Sequence, residues 1–376
     1  MIAVDTPDGQ ELTAVDDNDV PTIGVEEELL LVGGRSGEPA MANQTVAAHA
    51  QQLGLELQLE LTPCQIETAT PVLSTSAEIS ASLHNSRGLA AHAARMAGVS
   101  VLAAGVPPVL PRHGPITDTK RYRRIAAEYG VIASEQGVCG AHVHIAVPER
   151  DRAVQIGNYL RPWLPLLLAL TANSALYGGR DTGYASWRSV LWSRWPSAGP
   201  PPFIDSFAHY QQLVEQLFDV GAILDDGMLY WDIRPSATFP TLEVRISDVP
   251  ARVDDTVMLA LLIRALVMTA SRAVDAGIAA PPLPEHQLRW AYWRASRDGL
   301  SSSLVDPRSG RLTSARAAID SMVHYVESAL SAAGDRDEVA RAIDRNFRDG
   351  NGAAVQRRLH DQSRSAADVV AQLARH

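Results

Sequence analysis

Glu26 and Glu28 are the first residues in this chain whose type and spacing suggest chemistry. They lie in Thr22–Val32 (TIGVEEELLLV), a strand-like segment followed by the turn Gly33-Gly34-Arg35-Ser36-Gly37. Side chains two apart on a strand share a face, so these two carboxylates point together and Glu27 points away. Like charges on one face repel by tenths of a kcal/mol or more, roughly, and a cation between them relieves that cost. Glu60 and Glu67 stand on the two sides of a Thr62-Pro63 turn. His142 and His144 alternate in Gly140-Ala-His-Val-His, and Glu243 and Arg245 alternate in Thr241-Leu-Glu-Val-Arg. Carboxylates and imidazoles on one sheet face suit hard divalent ions, and guanidinium groups beside them suit a phosphoryl group. Arg188 and Arg234 sit among Tyr184, Trp187, Tyr230 and Trp231, placed to clamp phosphate or carboxylate, or to stack on the indoles.

Each piece has an ordinary explanation by itself. Three glutamates can make a solvated acidic edge strand, and Glu60 can be the polar face of an alternating strand. The histidines can be a satisfied structural pair, and Glu243 with Arg245 a cross-strand ion pair. The ordered combination is what carries weight.

Positioning these groups requires strands. Leu55–Leu61 alternates strictly, with leucines on one face and Glu56, Gln58 and Glu60 on the other, which predicts a half-buried strand. Gln65–Thr68, Val99–Ala104, Gly140–Val147, Tyr230–Arg234 and Thr241–Ile246 read as further strands. Helices are expected at Met41–Leu53, Ser76–Ala97, Arg121–Tyr129, across most of Asp151–Leu176, at Phe207–Val220, and almost continuously from Asp254 onward. Gly178–Pro202 reads as a long Gly/Pro/Trp loop. Short strands without a βαβ rhythm favour an α+β fold: an antiparallel sheet with helices packed on one side, in one domain over 21–376 with a helical C-terminal part. Residues 1–20 read as a disordered acidic tail.

Composition excludes several classes. A formal charge of -10 argues against a nucleic-acid surface. With 46% hydrophobic and 20% charged residues the chain looks like a globular enzyme. Its longest apolar runs, Trp163–Leu170 and Val257–Ala270, are broken by Pro165 and Arg264, so no membrane span is expected. Two cysteines, Cys64 and Cys139, make no disulfide framework, which points to a reducing cytoplasm. Lys120 is the only lysine, so the lysine-bearing Gly-rich phosphate loop is absent, and neither a G-x-S-x-G elbow nor an H-E-x-x-H helix occurs.

The series Gly24-Val-Glu-Glu-Glu28, Glu60-Leu-Thr-Pro-Cys-Gln-Ile-Glu67, Gly140-Ala-His-Val-His144 and Thr241-Leu-Glu-Val-Arg245 resembles the glutamate–cysteine ligase type 2 family, carboxylate–amine ligases related to glutamine synthetase. Ala172-Asn-Ser174, Gly179-Arg-Asp-Thr-Gly-Tyr184 and Trp231-Asp-Ile-Arg-Pro-Ser236 match as well, and the likeness runs from about Thr22 to about Gly299. It implies a curved antiparallel sheet of about six strands whose concave face holds metals and substrates. It also implies roles. Glu26, Glu28, Glu60, Glu67, His142 and Glu243 would ligate two or three magnesium ions, and His144 with Glu28 would contact the nucleotide. Arg234 and Arg245 would hold the transferred phosphoryl group, and Arg188 would orient the acid substrate. The implied reaction joins glutamate to an amine, by default cysteine, at the expense of ATP and through an acyl phosphate. Other acids or amines, an amide hydrolase on the same scaffold, and a binding protein without turnover are the competing readings. Expected partners are small molecules, with a homodimer supported by the apolar C-terminal helices.

Overall fold

In the computed structural model the Glu26–Glu28 segment is the centre of a sheet, not its edge. The structure describes residues 20–34, 36–110, 116–135 and 137–374. The expected disordered tail lies outside the described residues apart from Val20.

Seven strands form the main sheet: β1 (Ile23–Gly33), β2 (Gln58–Leu59), β3 (Gln65–Ala69), β4 (Val99–Leu102), β5 (Gly140–Ala146), β6 (Ile233–Pro235) and β7 (Thr241–Asp248). Their order is β2-β3-β1-β5-β7-β6, with β4 also paired to β1, and every pairing is antiparallel. β1 is long enough to take β3 along one edge and β5 then β4 along the other. β6 carries Pro235 at the open edge, where a missing N–H costs no ladder bond.

The two faces differ in chemistry. Ile23, Val25, Ala141, Val143, Ile145, Leu242 and Val244 enter one core with helices α1 (Ser76–Met96), α3 (Arg150–Leu160), α4 (Leu164–Thr171) and α6 (Val253–Asp275). α1 begins with a complete capping box, in which Thr75 accepts from the Glu78 N–H and Glu78 accepts from the Thr75 N–H. Glu27 lies on this helix-backed face with no exposure. It is neutralised there by both arms of Arg87, at 2.8 and 2.7 Å, and by the Thr256 hydroxyl at 2.6 Å.

Between β5 and β7 the register shifts by one residue, so Arg245 and Ile246 together oppose His142. Beyond this bulge Asp248, rather than Ser247, pairs with Gly140. Buried Asp248 accepts from the Asn173 N–H at 2.8 Å, the Ser174 hydroxyl at 2.6 Å and the Ser186 hydroxyl at 2.8 Å. Ser186 in turn caps α5 (Trp187–Trp192), the helix that carries Arg188.

Three expectations need correction. Only Gln58–Leu59 of Leu55–Leu61 pairs as a strand, because β3 offers just Glu67 and Ile66 opposite it. The Gly178–Pro202 segment contains α5 and, at its start, the strand Arg180–Asp181 paired to Leu176–Tyr177. The region after Asp254 includes a hairpin, Ser303–Val305 with Leu312–Ser314, turned at Asp306–Gly310. α6 spans 23 residues and by length and composition could cross a membrane, but 72% of its apolar window is buried inside the protein. Its Arg264 is 1% exposed and pairs with Asp335 at 2.5 Å.

Candidate active site

The second face of the sheet lines a cavity of about 540 Å³. Strand register explains its composition. Glu26 stands opposite His142, Glu28 opposite Glu67, and Glu243 opposite both His144 and Arg234. Six of the seven acidic and imidazole residues named from the sequence thus come from adjacent β1, β3, β5 and β7. Glu60 follows β2 and also lines the cavity, half-buried. The opposite wall is made by α2 (Lys120–Tyr129), through Arg121 and Tyr122, and by Tyr230 and Phe239.

His142 is the hub. Its Nδ1 lies 3.1 Å from Glu26 Oε2 and 3.2 Å from Arg245 Nη1, and its Nε2 lies 3.8 Å from Glu28 Oε1. His144 Nδ1 is hydrogen-bonded to the Thr241 hydroxyl at 2.9 Å, which leaves its Nε2 facing Glu26 Oε1 at 3.4 Å. Glu28 accepts the Gly140 backbone N–H at 2.6 Å. Glu243 holds two arginines: Arg234 donates through Nε at 3.0 Å, and Arg245 donates through Nη1.

The charges do not balance within the protein. Burial acts to raise the Glu26 pKa, but hydrogen bonds and charge from His142 and His144 outweigh it and hold the carboxyl well below its usual range. Burial likewise opposes ionisation of Glu243, yet Arg245 and Arg234 keep its pKa low. For Glu60, burial and the Glu28 charge push the pKa up to about 7. For Glu67, burial and the charges of Glu60, Glu26 and Glu28 push it well up. Burial and Arg245 lower the His142 pKa, against the raising pull of Glu26 and Glu28, which favours the neutral ring that a metal ligand requires.

This donor set fits divalent cations. Glu26, His142 and Glu243 bring ligand atoms within 4.8 Å of one another, as do Glu28, Glu67 and His142. The buried Nε2 atoms of His142 and His144 have no hydrogen-bond partner among the described residues. A histidine whose Nδ1 faces a carboxylate while Nε2 is free is oriented as metal-binding histidines commonly are. Oxygen-rich coordination with one imidazole suits magnesium better than a soft metal.

Arg234 and Arg245 line this cavity, but Arg188 does not; it lines a neighbouring one. It is 3% exposed and packs over Gly140, with Nη1 donating to the Ile246 carbonyl at 3.3 Å. Cys64 and Cys139 are free and buried, as small packing groups. Sequence reasoning missed Thr241, Arg121 and Tyr122; the short spacing from Thr241 to Glu243 was the one available signal, since strand alternation puts both on one face.

The family model described as Glutamate-cysteine ligase family 2 (GCS2) matches residues 22–375. A protein of Mycolicibacterium smegmatis named "Putative glutamate–cysteine ligase 2-3" is 52% identical over 355 residues, covering 94% of this chain and 97% of that protein. One of Nocardia farcinica named "Putative glutamate–cysteine ligase 2-1" is 51% identical over 355 residues, covering 94% and 93%. Among solved structures, the fold is similar to a glutamate–cysteine ligase of Francisella tularensis in complex with AMP, at TM-score 0.67 and 13% identity over 94% of this chain and 87% of that one. It is also similar to a bifunctional glutathione synthetase of Pasteurella multocida, at TM-score 0.68 and 15% identity over 94% of this chain and 52% of that one. The chain belongs to glutamate-cysteine ligase family 2, and it is an ATP-dependent carboxylate–amine ligase.

Proposed function

We propose that the enzyme joins the γ-carboxylate of glutamate to an amine, with cysteine as the default acceptor, giving a γ-glutamyl amide, ADP and phosphate. The observation that supports this most is the row of Glu26, Glu28, Glu67, His142 and Glu243 on one face, with Arg234 and Arg245 tethered to Glu243 at its end.

Glu26, Glu28, Glu60, Glu67, His142 and Glu243 would hold two or three magnesium ions. Bound there, the ions supply neutralisation of the nucleotide phosphates. His144, fixed by Thr241 and facing Glu26, would contact the nucleotide phosphates, as would Glu28. Arg234 and Arg245 present guanidinium groups held rigid by Glu243, so they meet charge developing on the transferred group without reorganising. A γ-carboxylate oxygen of glutamate attacks the γ-phosphorus, and the bond to the bridging oxygen of ADP breaks. The amine lone pair then attacks the acyl carbon, the carbon–oxygen bond to phosphate breaks, and a proton leaves the nitrogen. Neither step needs a side-chain nucleophile. The reading takes the enzyme as cytoplasmic and built as one catalytic domain over residues 21–376.

Phosphate release, measured with magnesium, ATP and a matrix of amino acids and followed by mass spectrometry of the products, tests the proposal. ADP formation dependent on glutamate and an amine, with the amide mass present, is the expected result. A free acid without ADP would indicate a hydrolase and reject it.

A further inference from the structure

The densest run of cations in the chain lies on α2, where Lys120, Arg121, Arg123 and Arg124 fill four of five consecutive positions. All four are exposed. Arg121 is held by both oxygens of Asp225, at 2.8 and 2.9 Å, and Arg123 pairs with Asp118. Lys120 and Arg124 have no ion-pair partner among the described residues. Both border a depression of about 370 Å³, whose apolar part is Ile125 and Leu224. Arg121 and Ile125 also line the sheet-face cavity, so this depression opens at the mouth of that cavity.

A cationic rim around an apolar floor suits an acidic peptide better than a bare phosphate, and the net charge of -10 disfavours a nucleic acid. The chain itself supplies such a peptide. Residues 1–19 contain Asp5, Asp8, Glu11, Asp16, Asp17 and Asp19, with no lysine, arginine or histidine. Leu12 and Val15 stand between Glu11 and Asp16, so two apolar side chains come flanked by carboxylates.

The place where this segment joins the fold is favourable. Thr22 accepts the Ala146 N–H at 3.0 Å, and Ala146 pairs with Thr241. Val147 donates to the Pro240 carbonyl at 3.1 Å in the same corner. Phe239, which precedes it, is 52% exposed and lines the sheet-face cavity, its ring edge-on to His144 at 5.9 Å. The chain therefore enters the fold at one rim of the cavity, and α2 forms the opposite wall. Nineteen extended residues span up to roughly 65 Å, ample to cross the opening.

We propose that the acidic segment 1–19 docks on the exposed face of α2, lying across the mouth of the sheet-face cavity. Its carboxylates meet Lys120, Arg123 and Arg124, and Leu12 with Val15 covers Ile125 and Leu224. The contact joins solvated charges, so salt weakens it. An anionic nucleotide approaching the mouth meets like charge and must displace the segment to enter. The docking depends on no particular choice of acid or amine substrate.

Lys120 is the only lysine, which makes the test specific. Carbodiimide coupling of the full-length protein at low salt, with isolation of the monomer and tryptic mass spectrometry, should join Lys120 to an acidic residue within 1–19. About 1 M salt should abolish that product. Arg123→Lys and Arg124→Lys place a second amine on the same face, so a segment that touches only the arginines is still caught. Absence of the product in all three proteins would overturn the proposal. So would coupling to Asp118 or Asp225 alone, or coupling found only between two copies of the chain. Combining D5N, D8N, E11Q, D16N, D17N and D19N should lower the KM for ATP by about threefold or more at low salt, and leave it unchanged at about 1 M. An unchanged KM at low salt would overturn the placement across the mouth.

Discussion

The guanidinium of Arg188 occupies the space that a side chain on Gly140 would need. A Cβ built on Gly140 would stand 3.0 Å from Arg188 Cζ and nearer still to Nη2. Gly140 also donates its N–H to Glu28, so one residue keeps two charged groups in register. Gly140→Ala should therefore lower stability by about 1–3 kcal/mol, as overpacking does, and should also reduce turnover. Urea unfolding and phosphate release measure the two effects. A variant that is destabilised but fully active would show that Arg188 placement is irrelevant to the reaction.

The three consecutive glutamates should separate cleanly by face. Glu27→Ala leaves Arg87 without its buried partner and should cost about 3 kcal/mol or more in unfolding free energy. Glu28→Gln keeps shape while removing charge, and should change stability by less than about 1 kcal/mol because it relieves repulsion with Glu60 and Glu67. Glu26→Gln gives up part of the attraction of His142 and His144 and should lower stability, though by less than Glu27→Ala. Turnover of both Gln variants should fall by roughly a hundredfold. Comparable stability losses in all three would contradict the opposed faces.

Glu243→Gln and His142→Ala should each reduce glutamate-dependent ADP formation by roughly a hundredfold or more. Glu243 tethers two arginines, and His142 joins both groups of potential metal ligands. Near-normal rates in these variants would refute the assignment of the site.

Asp232 gives a pH signature. Burial raises its folded pKa to about 6 from the ordinary 3.8, so folding favours the protonated form. Its favourable contribution is complete below the unfolded pKa and is lost as pH rises from about 4 through 6. Asp232→Asn should remove this dependence, gaining up to about 3 kcal/mol on wild type between pH 4 and 7. Parallel stability–pH curves for the two proteins would show that Asp232 is not strained by burial.

Much of the site was legible because alternation on strands is a strict rule. Glu26 with Glu28, His142 with His144, and Glu243 with Arg245 share a face as their spacing requires, and Glu27 is turned to the helices. Strand partners were harder to see, since nothing local says that Glu67 stands opposite Glu28. The Leu55–Leu61 strand was overextended for the same reason: alternation describes a surface, whereas a strand also needs a neighbour. Arg188 was found, but the cavity it lines depends on α7 (Glu285–Asp298), a hundred residues away in the chain by rough count.

The bulge in β7 has a consequence for how this scaffold tolerates change. Were the ladder to straighten with no residue removed, Ser247 in place of Asp248 would stand opposite Gly140. The Asn173–Ser186 stretch would then lose the buried carboxylate from which it hangs, and the helix bearing Arg188 would come adrift. Glu243 and His144 could remain paired through all of this, leaving a protein with its acidic row in place and the neighbouring chamber dismantled.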